Sequence, residues 1–355
     1  MAAPSMPIPD DLPNVWARLL GNVSQVANHY GVHRQTITRW RDELNLPNLR
    51  LTGVSHAATG GVSQRFKAEV SFIAPPTLPG DWTKPKRPKI NTKKPRSWAL
   101  FSDPHCPFHS ESLLASACAW LDRTRPTDGV INGDLLDFPS VSTYAEKEDW
   151  VADVNACLRS ACRWLKAIVD ASPQTRWTYM PGNHENRLNR YLMDKAPALW
   201  GIRPGGDDEY RRWHDLRNLL LLDQFGIALH PEPYPDAELA LTPKFVVTHG
   251  DYTKRKSGNS AHAALDNSDH CFAQGHDHRI GQVFQTKWGT DKKMVVHVGM
   301  QLGTMADVDY RGLGYAKKPD WQMGFGVVHT WPDGLFSGEL AVFVDDTLLI
   351  GGQRF

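Results

Sequence analysis

The sequence has few cysteines, and their arrangement does not suggest a disulfide framework. Five cysteines are scattered over 355 residues, without a CxxC pair. Structural zinc sites built from thiolates usually contain such pairs, so this class of site is not indicated either. We therefore expect a protein of a reducing compartment, where thiols stay free.

Long apolar runs are also absent. The opening residues, MAAPSMPIPDDLPN, contain neither the basic segment nor the apolar stretch of a signal peptide. No run approaches the roughly eighteen apolar residues that a membrane-spanning helix needs. These absences predict a soluble, intracellular and cytoplasmic protein.

No excess of one charge marks the chain as a whole. The formal net charge is +1, from 40 Lys and Arg against 39 Asp and Glu, so the charge balance nominates no partner. Hydrophobic residues make up 41% of the chain and aromatic residues 10%, which is enough for a substantial core. The length predicts two domains, one small and one large.

Three regions follow one another along the chain. Residues 14–50 are predicted to form a small helical domain, and residues 51–96 a linker rich in Pro and Lys. From residue 97 to residue 355, short apolar strands alternate with helical segments, and no internal repeat is present. This alternation is typical of a layered α/β domain.

Polar residues follow the predicted strands of the large region. The first three strands are predicted to end at Asp103, Asp134 and Asn183, with the helical segments SLLASACAWLDR and VNACLRSACRWLKAIVDA between them. The later apolar runs KFVVT and HCFAQ are each followed closely by His and Gly. Open α/β sheets bind ligands at the carboxyl ends of their strands, so we expect these polar residues to meet there.

Five short motifs carry these polar residues. In chain order they are Asp103-Pro104-His105, Gly133-Asp134 with Asp137, Gly182-Asn183-His184-Glu185, His249-Gly250 and Gly275-His276-Asp277-His278. Carboxylate, amide and imidazole groups suit Mn, Fe or Zn ions, and glycines let the backbone approach closely. Each motif alone is common, and a single buried His is more often a core residue. Five in this order, each after an apolar strand, predict a metal centre.

The order of the motifs resembles that of the calcineurin-like metallophosphoesterase superfamily, over about residues 98–305. The resemblance implies an α/β fold, a β-sandwich flanked by helices, with the site on top. It also implies two divalent metal ions (Mn, Fe or Zn). The implied ligands are Asp103, His105 and His278 for the first ion, Asn183, His249 and His276 for the second, and Asp134 as the bridge.

The resemblance further implies hydrolysis of a phosphate ester by a hydroxide that the two metals activate. His184 follows the ligand Asn183 but is not a ligand in the family pattern, and it is expected to protonate the leaving group. Asp137 would orient that histidine and favour its protonated form. An ordinary carboxylate at a helix N-terminus is the alternative for Asp137.

Other residues beside the motifs have open roles. Arg187, Arg190 and Arg279 could meet substrate phosphates, although we expect at least two of them to be solvated. Asp277 would either add negative charge to the site or point into solvent. Residues 188–226 read as helical, and in this superfamily such insertions often shape the substrate pocket.

The N-terminal region contains a pattern of two short helices joined by a turn at Gly31. The first helix, QVANHY, would be capped by Ser24, and the second runs from about Arg34 to Leu44. The predicted core residues are Val26, Ala27, Val32, Ile37, Trp40 and Leu44. This pattern resembles the helix-turn-helix units of DNA-binding proteins, whose second helix enters the major groove.

The second helix carries the residues that would contact DNA. They are Arg34, Gln35, Thr36, Thr38, Arg39 and Arg41. The alternative is a small helical hairpin that serves protein contacts.

The linker that follows is basic. Its charged residues are Lys84, Lys86, Arg87, Lys89, Lys93, Lys94 and Arg96, against Asp81. They fit a tether that also touches the nucleic-acid backbone, or equally a solvated spacer.

Three functions are consistent with these features. The first is a metal-dependent, DNA-associated phosphodiesterase or nuclease, delivered to DNA by the N-terminal unit. The alternative is a phosphomonoesterase or protein phosphatase that uses the helix-turn-helix for localisation or regulation. The third is a DNA-binding scaffold with an inactive metal domain, which the complete ligand set argues against. Since the same centre serves monoesters and diesters, only the N-terminal unit and the linker favour DNA.

Overall fold

The computed structural model describes residues 8–13, 15, 23–44, 93–142, 153–206, 209–288, 292–308 and 319–355, with only the backbone described at residues 23–25, 28, 34 and 42. The chain divides into two compact units, Met1–Phe72 and Ile73–Phe355. Most of the predicted linker lies outside the described residues, and the three predicted domain boundaries stay predictions.

The first unit contains two helices at the predicted places, α1 (Val23–Tyr30) and α2 (Arg34–Glu43). Gly31 lies between them with φ +64°, in the left-handed region that favours glycine. The backbone can therefore reverse between the two helices without steric strain.

A small core holds these helices together. The predicted residues Val26, Ala27, Ile37 and Trp40 are buried, Val32 packs against them, and Leu12 and Val15 also belong to the cluster. The assignment of Leu44 to the core is wrong, because this side chain is 40% exposed. Leu44 lies just beyond the end of α2, where helical spacing no longer directs the side chain toward the core.

Two of the six residues assigned to DNA contact are exposed on α2. Gln35 and Arg39 are exposed, whereas Thr36, Thr38 and Arg41 are partly buried. The Arg39 guanidinium also lies 3.4 Å from the Glu43 carboxylate one turn later. The side chains of Ser24 and Arg34 lie outside the described part, and contact with DNA stays a prediction.

The second unit is built from thirteen described strands. They are β1 (Arg96–Phe101), β2 (Asp128–Asn132), β3 (Arg176–Met180), β4 (Ala228–Leu229), β5 (Glu238–Thr242), β6 (Phe245–Thr248), β7 (Cys271–Gln274), β8 (Ile280–Trp288), β9 (Met294–Leu302), β10 (Met323–Thr330), β11 (Phe336–Val344), β12 (Thr347–Ile350) and β13 (Gln353–Arg354). Eight of them form one sheet in the order β13-β12-β11-β10-β1-β2-β3-β4, and five form a second sheet in the order β5-β6-β7-β9-β8.

Parallel pairing dominates the part of each sheet that precedes the predicted ligands. β1, β2, β3 and β4 run parallel, as do β6, β7 and β9. The remaining strands pair antiparallel, with β10 against β1 joining the two halves of the larger sheet. The strand ends that carry the motifs are therefore neighbours.

Helices connect the parallel strands of the second unit. They are α3 (Glu111–Thr124), α4 (Val154–Ala171), α5 (Glu185–Lys195), α6 (Pro197–Trp200), α7 (Leu216–Leu219), α8 (Leu222–Phe225) and α9 (Asn259–Asp266), with 3₁₀ turns at Pro139–Val141 and Pro204–Gly206. Ser110 caps the N-terminus of α3 and Asp153 that of α4, each side chain accepting a hydrogen bond from a backbone N–H of the first turn. The α4 bounds coincide with the predicted helical segment.

Alternating side chains in β1 show how the layers are arranged. Trp98 and Leu100 join a core that contains residues of β6 and β7, whereas Ala99 and Phe101 join a core with residues of α3 and α4. Successive side chains of a strand face opposite sides, so this strand supplies both cores. The larger sheet thus lies between the smaller sheet and a helical layer, and the predicted mixed α/β class is confirmed.

One residue of the predicted basic linker has a structural role. Arg96 is the first residue of β1, and its guanidinium lies 2.6 Å from Asp128 at the start of β2. Arg176, at the start of β3, lies 2.8 Å from the same carboxylate. Arg96 therefore ties neighbouring strands together and is not part of a free tether.

The insertion between the third and fourth motifs is only partly helical. It contains α5 and three helices of four residues each, α6, α7 and α8, joined by turns. The prediction of a helical segment is confirmed for α5 and is too extensive for the rest. No helix among the described residues has the length and apolar character to cross a membrane.

Candidate metal centre

The seven predicted ligands lie on loops that follow β1, β2, β3, β6 and β7. Five of them have backbone φ angles in the left-handed region: Asp103 (55°), His105 (49°), Asp134 (50°), His276 (70°) and His278 (59°). Non-glycine residues adopt this conformation at a cost in free energy, and such residues concentrate at functional sites. The backbone conformation of the loops thus directs these side chains toward a common centre.

Asp103, His105 and His278 form one buried group of potential ligands. His105 Nε2 and His278 Nε2 lie 2.9 Å apart, and Asp103 Oδ1 lies 3.4 Å from His278 Nε2. The ligand atoms of the three residues all fall within 4.8 Å of one another. One cation can therefore contact all three.

A second group contains Asp134, His249 and His276, again with ligand atoms within 4.8 Å of one another. Asn183 completes it, because its Oδ1 lies 3.1 Å from His249 Nε2 and 2.9 Å from His276 Nδ1. Asp134 Oδ2 lies 3.3 Å from His249 Nε2 and 3.9 Å from His105 Nε2. Asp134 is thus positioned between the two groups.

The chemistry of the donor atoms fits a cation. His249 Nδ1 lies 2.8 Å from the Asn132 carbonyl oxygen, to which it must donate its proton. If the ring is neutral, Nε2 is therefore a hydrogen-bond acceptor. It faces two further acceptors, the oxygens of Asp134 and Asn183, and a cation between them would satisfy all three. Burial lowers the pKa of His249, but the carboxylates of Asp134 and Asp103 raise it to about 10. The same negative charge favours a divalent cation.

Glycines let the loops approach the ligands. A Cβ on Gly182 would overlap Asp134 Oδ1, and a Cβ on Gly275 would overlap Asp103 Oδ2. Neither neighbour is free to move, because both carboxylates are buried in the centre. A side chain at either position would displace a ligand.

His184 and Asp137 lie against the first group. His184 Nδ1 is 3.0 Å from Asp137 Oδ1, and His184 Nε2 is 3.7 Å from Asp134 Oδ2. Asp137 Oδ1 also lies 3.0 Å from His105 Nδ1. Asp137 therefore contacts two imidazoles, which is more than a simple helix N-terminal carboxylate requires. It directly precedes Phe138, the cap of the 3₁₀ turn Pro139–Val141, and its orienting role stays a prediction.

The surrounding charges affect the protonation of both residues. Burial lowers the pKa of His184, but the carboxylates of Asp134 and Asp137 raise it above the ordinary value. Burial raises the pKa of Asp137, but its hydrogen bonds to His105 and His184 lower it well below the ordinary value. His184 could also serve as a ligand, since its ring lies within 4.8 Å of the donor atoms of His105 and Asp134.

The arginines beside the motifs differ from the prediction. The side chains of Arg187 and Arg279 are only 18% and 12% exposed, so the expectation that at least two of three would be solvated is wrong. Arg187 Nη2 lies 2.7 Å from His184 Nε2. Asp277 is buried and accepts hydrogen bonds from Gln301 and the Arg279 backbone, which excludes the solvent-facing alternative.

Glu185 has a role that its sequence motif did not reveal. Its Oε2 accepts hydrogen bonds from the backbone N–H groups of Asp134 (3.0 Å) and Gly182 (2.7 Å), and its Oε1 accepts one from Leu136 (3.0 Å). One buried carboxylate therefore fixes the loops after β2 and β3 together. Its neighbours in the GNHE motif suggested importance, but not these distant backbone partners.

Two aromatic side chains also flank the centre and were not predicted. The Trp321 ring contacts His278, with centroids 4.6 Å apart. The Tyr234 ring contacts His249, with centroids 5.8 Å apart. Each lies far in sequence from the loop it covers, so the sequence motifs gave no signal for either.

Comparisons with known proteins give a distant relationship to phage proteins. No family model matches the chain. The chain is 28% identical over 235 residues to the Gene 54 protein of Mycobacterium phage D29, which covers 64% of this chain and 87% of the relative. It is 27% identical over 240 residues to the Gene 54 protein of Mycobacterium phage L5, with the same coverage.

Solved structures of vacuolar protein sorting 29 give weaker similarities. The protein from Cryptosporidium parvum has a TM-score of 0.36 and 12% identity, over 74% of this chain and 98% of that one. The Chaetomium thermophilum protein has a TM-score of 0.33 and 9% identity, over 73% and 93%. Similarity at this level supports no argument about function.

Proposed function

We propose that this protein is a binuclear metal-dependent phosphoesterase of the calcineurin-like kind, which acts on a phosphodiester associated with DNA. The observation that carries the proposal is the convergence of seven potential oxygen and nitrogen ligands from five separate loops, with Asp134 between the two groups. Structural zinc sites use a different set, dominated by thiolates, whereas this set suits Mn, Fe or Zn in a catalytic centre.

The seven potential ligands would hold two cations. Asp103, His105 and His278 would hold one cation, Asn183, His249 and His276 the other, with Asp134 shared. When bound, two cations supply an activated water and offset the charge on the phosphoryl oxygens. Asn132 and Asp137 fix the rings of His249 and His105 through their Nδ1 atoms, so that each Nε2 faces the centre.

His184 would deliver a proton to the leaving oxygen. Its Nδ1 is held by Asp137, and its Nε2 faces the centre. In this structure Nε2 accepts a hydrogen bond from Arg187, since a guanidinium can only donate. A phosphoryl oxygen is a stronger partner for Arg187, so substrate binding would free Nε2 for protonation.

The DNA association rests on the N-terminal unit. α1 and α2 pack with a turn at Gly31, and Gln35 and Arg39 of α2 are exposed. This supports a recognition helix that contacts bases and phosphates. The names of the phage relatives assign no function, so they neither favour nor oppose a DNA substrate.

Hydrolysis of simple esters tests the central part of the proposal. Protein loaded separately with Mn, Fe or Zn would be assayed with bis(p-nitrophenyl) phosphate, p-nitrophenyl phosphate and labelled DNA. Asp134→Asn should abolish hydrolysis, whereas the exposed Asp122→Asn on α3 should not. Monoester hydrolysis without diester or DNA cleavage would move the assignment to phosphomonoesterases or protein phosphatases.

A separate experiment tests the role of the N-terminal unit. Deletion of residues 1–50 should weaken DNA binding and reduce its dependence on salt, because counterion release by Lys and Arg contributes to affinity. Gln35→Ala and Arg39→Ala should weaken binding in the full chain. Unchanged affinity in all three proteins would assign the unit to protein contacts instead.

A further inference from the structure

A cavity of about 240 Å³ opens beside one half of the metal centre. Its lining includes Gly182, whose neighbour Asn183 contacts His249 through its side chain. Tyr234 also lines the cavity and contacts His249 with its ring. The cavity therefore lies close enough to the centre to bind a substituent of a phosphate ester whose phosphate lies at the metal centre.

Asparagines of α5 and Arg212 supply polar groups that face the cavity. Asn186 and Asn189 of α5 contribute amides that both donate and accept hydrogen bonds. The Arg212 guanidinium lies over the Trp200 ring, 4.4 Å from its centroid, which fixes its plane. Among the described residues, no carboxylate lies within ion-pair distance of Arg212, which leaves its donors available to a ligand.

The charges of the lining select against a second phosphate. Arg212 is the single Lys or Arg among the described lining residues, and it is accompanied by the carboxylates Glu185, Asp215 and Glu232. Such a surface repels an additional anion and accepts hydrogen bonds from a neutral group. The half-buried Tyr234 ring offers a face on which a planar group can stack.

We propose that this cavity binds the nucleoside on the non-leaving side of the scissile phosphate. Its base would stack on Tyr234, while its polar edges and the sugar would meet Asn186, Asn189 and Arg212. The volume of about 240 Å³ is just below the roughly 300–1,000 Å³ of sites for drug-sized ligands, which suits a single nucleoside at the end of a strand. The inference rests on the proposed phosphodiesterase function and adds its substrate class.

Two esters with the same leaving group test the cavity. Metal-loaded full-length protein would be assayed with bis(p-nitrophenyl) phosphate and with the p-nitrophenyl ester of thymidine monophosphate. Both release nitrophenolate, so a difference in kcat/KM reports the group that stays on the phosphate. We expect the nucleotide ester to be preferred at least tenfold, mainly through KM.

Variants of the lining residues show whether the preference for the nucleotide ester comes from the cavity. Tyr234→Ala and Arg212→Ala should each reduce the ratio of the two kcat/KM values about tenfold, equivalent to about 1.4 kcal/mol. The matched control is Arg211→Ala, since Arg211 is exposed, pairs with Asp223 at 3.5 Å and does not line the cavity. An equal ratio in wild type and both variants would overturn the proposal.

A binding measurement separates this inference from the proposed function. If neither ester is hydrolysed, the phosphodiesterase assignment fails, and the cavity is tested by titrating thymidine monophosphate into the protein by calorimetry. A Kd raised about tenfold by Arg212→Ala, and unchanged by Arg211→Ala, supports the nucleoside site. Equal affinity in all three proteins, or no binding, refutes it.

Discussion

His184→Asn should separate proton delivery from metal binding. Asn can still donate to Asp137, which lies 3.0 Å from His184 Nδ1, but it has no group that can deliver a proton to the leaving oxygen. A positioned general acid contributes roughly 10²–10⁴ in rate, or about 2.7–5.4 kcal/mol at about 1.36 kcal/mol per tenfold. Because Asp137 already holds the His184 ring toward the centre, we expect the variant to slow hydrolysis by about 10³, the middle of this range.

The loss should depend on the leaving group. Nitrophenolate leaves without a proton, so its ester should slow by about tenfold or less, whereas alkyl and nucleotide esters should slow by about 10³. The assay is kcat across a leaving-group series, with metal content measured on the same samples. The control is His262→Asn, at an exposed position on α9.

Two results would refute this reasoning. Loss of metal from His184→Asn would make His184 a ligand, consistent with its proximity to His105 and Asp134. An equal slowing of nitrophenyl and alkyl esters would show that His184 binds the phosphate and does not protonate the leaving group.

The same geometry makes Glu185, His184 and Gly182 sensitive to substitution. Glu185→Gln leaves one backbone donor facing an amide N–H₂. The free energy of unfolding, measured in denaturant, should therefore fall by about 2–4 kcal/mol, and the Kd for metal should rise. An unchanged free energy of unfolding would show that the loops need no such acceptor. In metal-free protein, NMR titration should give His184 a pKa above about 6.5, because burial and the neighbouring Arg187 guanidinium, which lower the pKa, are outweighed by the carboxylates of Asp134 and Asp137. Asp137→Asn should lower this pKa, and a wild-type pKa below about 6.5 would contradict the prediction. Gly182→Ala should abolish tight metal binding by calorimetry, whereas Gly201→Ala, where an added Cβ meets open space, should leave it unchanged; equal binding by both would contradict the packing argument.

The sequence could predict which residues meet, because their positions depend on local features. Each ligand follows a short apolar strand, and the strands pair in parallel so that their ends adjoin. The bounds of α4 were predictable for a similar reason, since Asp153 provides a cap and the apolar spacing is helical throughout.

Contacts between distant segments were not predictable in this way. Tyr234 reaches His249 and Trp321 reaches His278 through folding of loops that carry no motif. Arg96 looked like part of a basic linker because its partner Asp128 lies on another strand. These roles depend on tertiary pairing, which periodicity and composition do not encode.

Errors at element ends have the same origin. Leu44 continues the apolar spacing of α2, but the helix ends at Glu43 and the side chain is exposed. The insertion, which is rich in Trp and Arg, reads as helical, yet a turn interrupts it at Gly205 and Gly206, both with positive φ. Helical propensity is a weak guide where glycines divide a segment.

Anomalous X-ray diffraction from crystals grown with Mn²⁺ tests the central claim most directly. The account predicts two anomalous peaks, one among Asp103, His105 and His278 and one among Asn183, His249 and His276, with the Asp134 carboxylate contacting both. Asp134→Asn should weaken or remove at least one peak. A single peak, or two peaks that do not share Asp134, would contradict a binuclear centre.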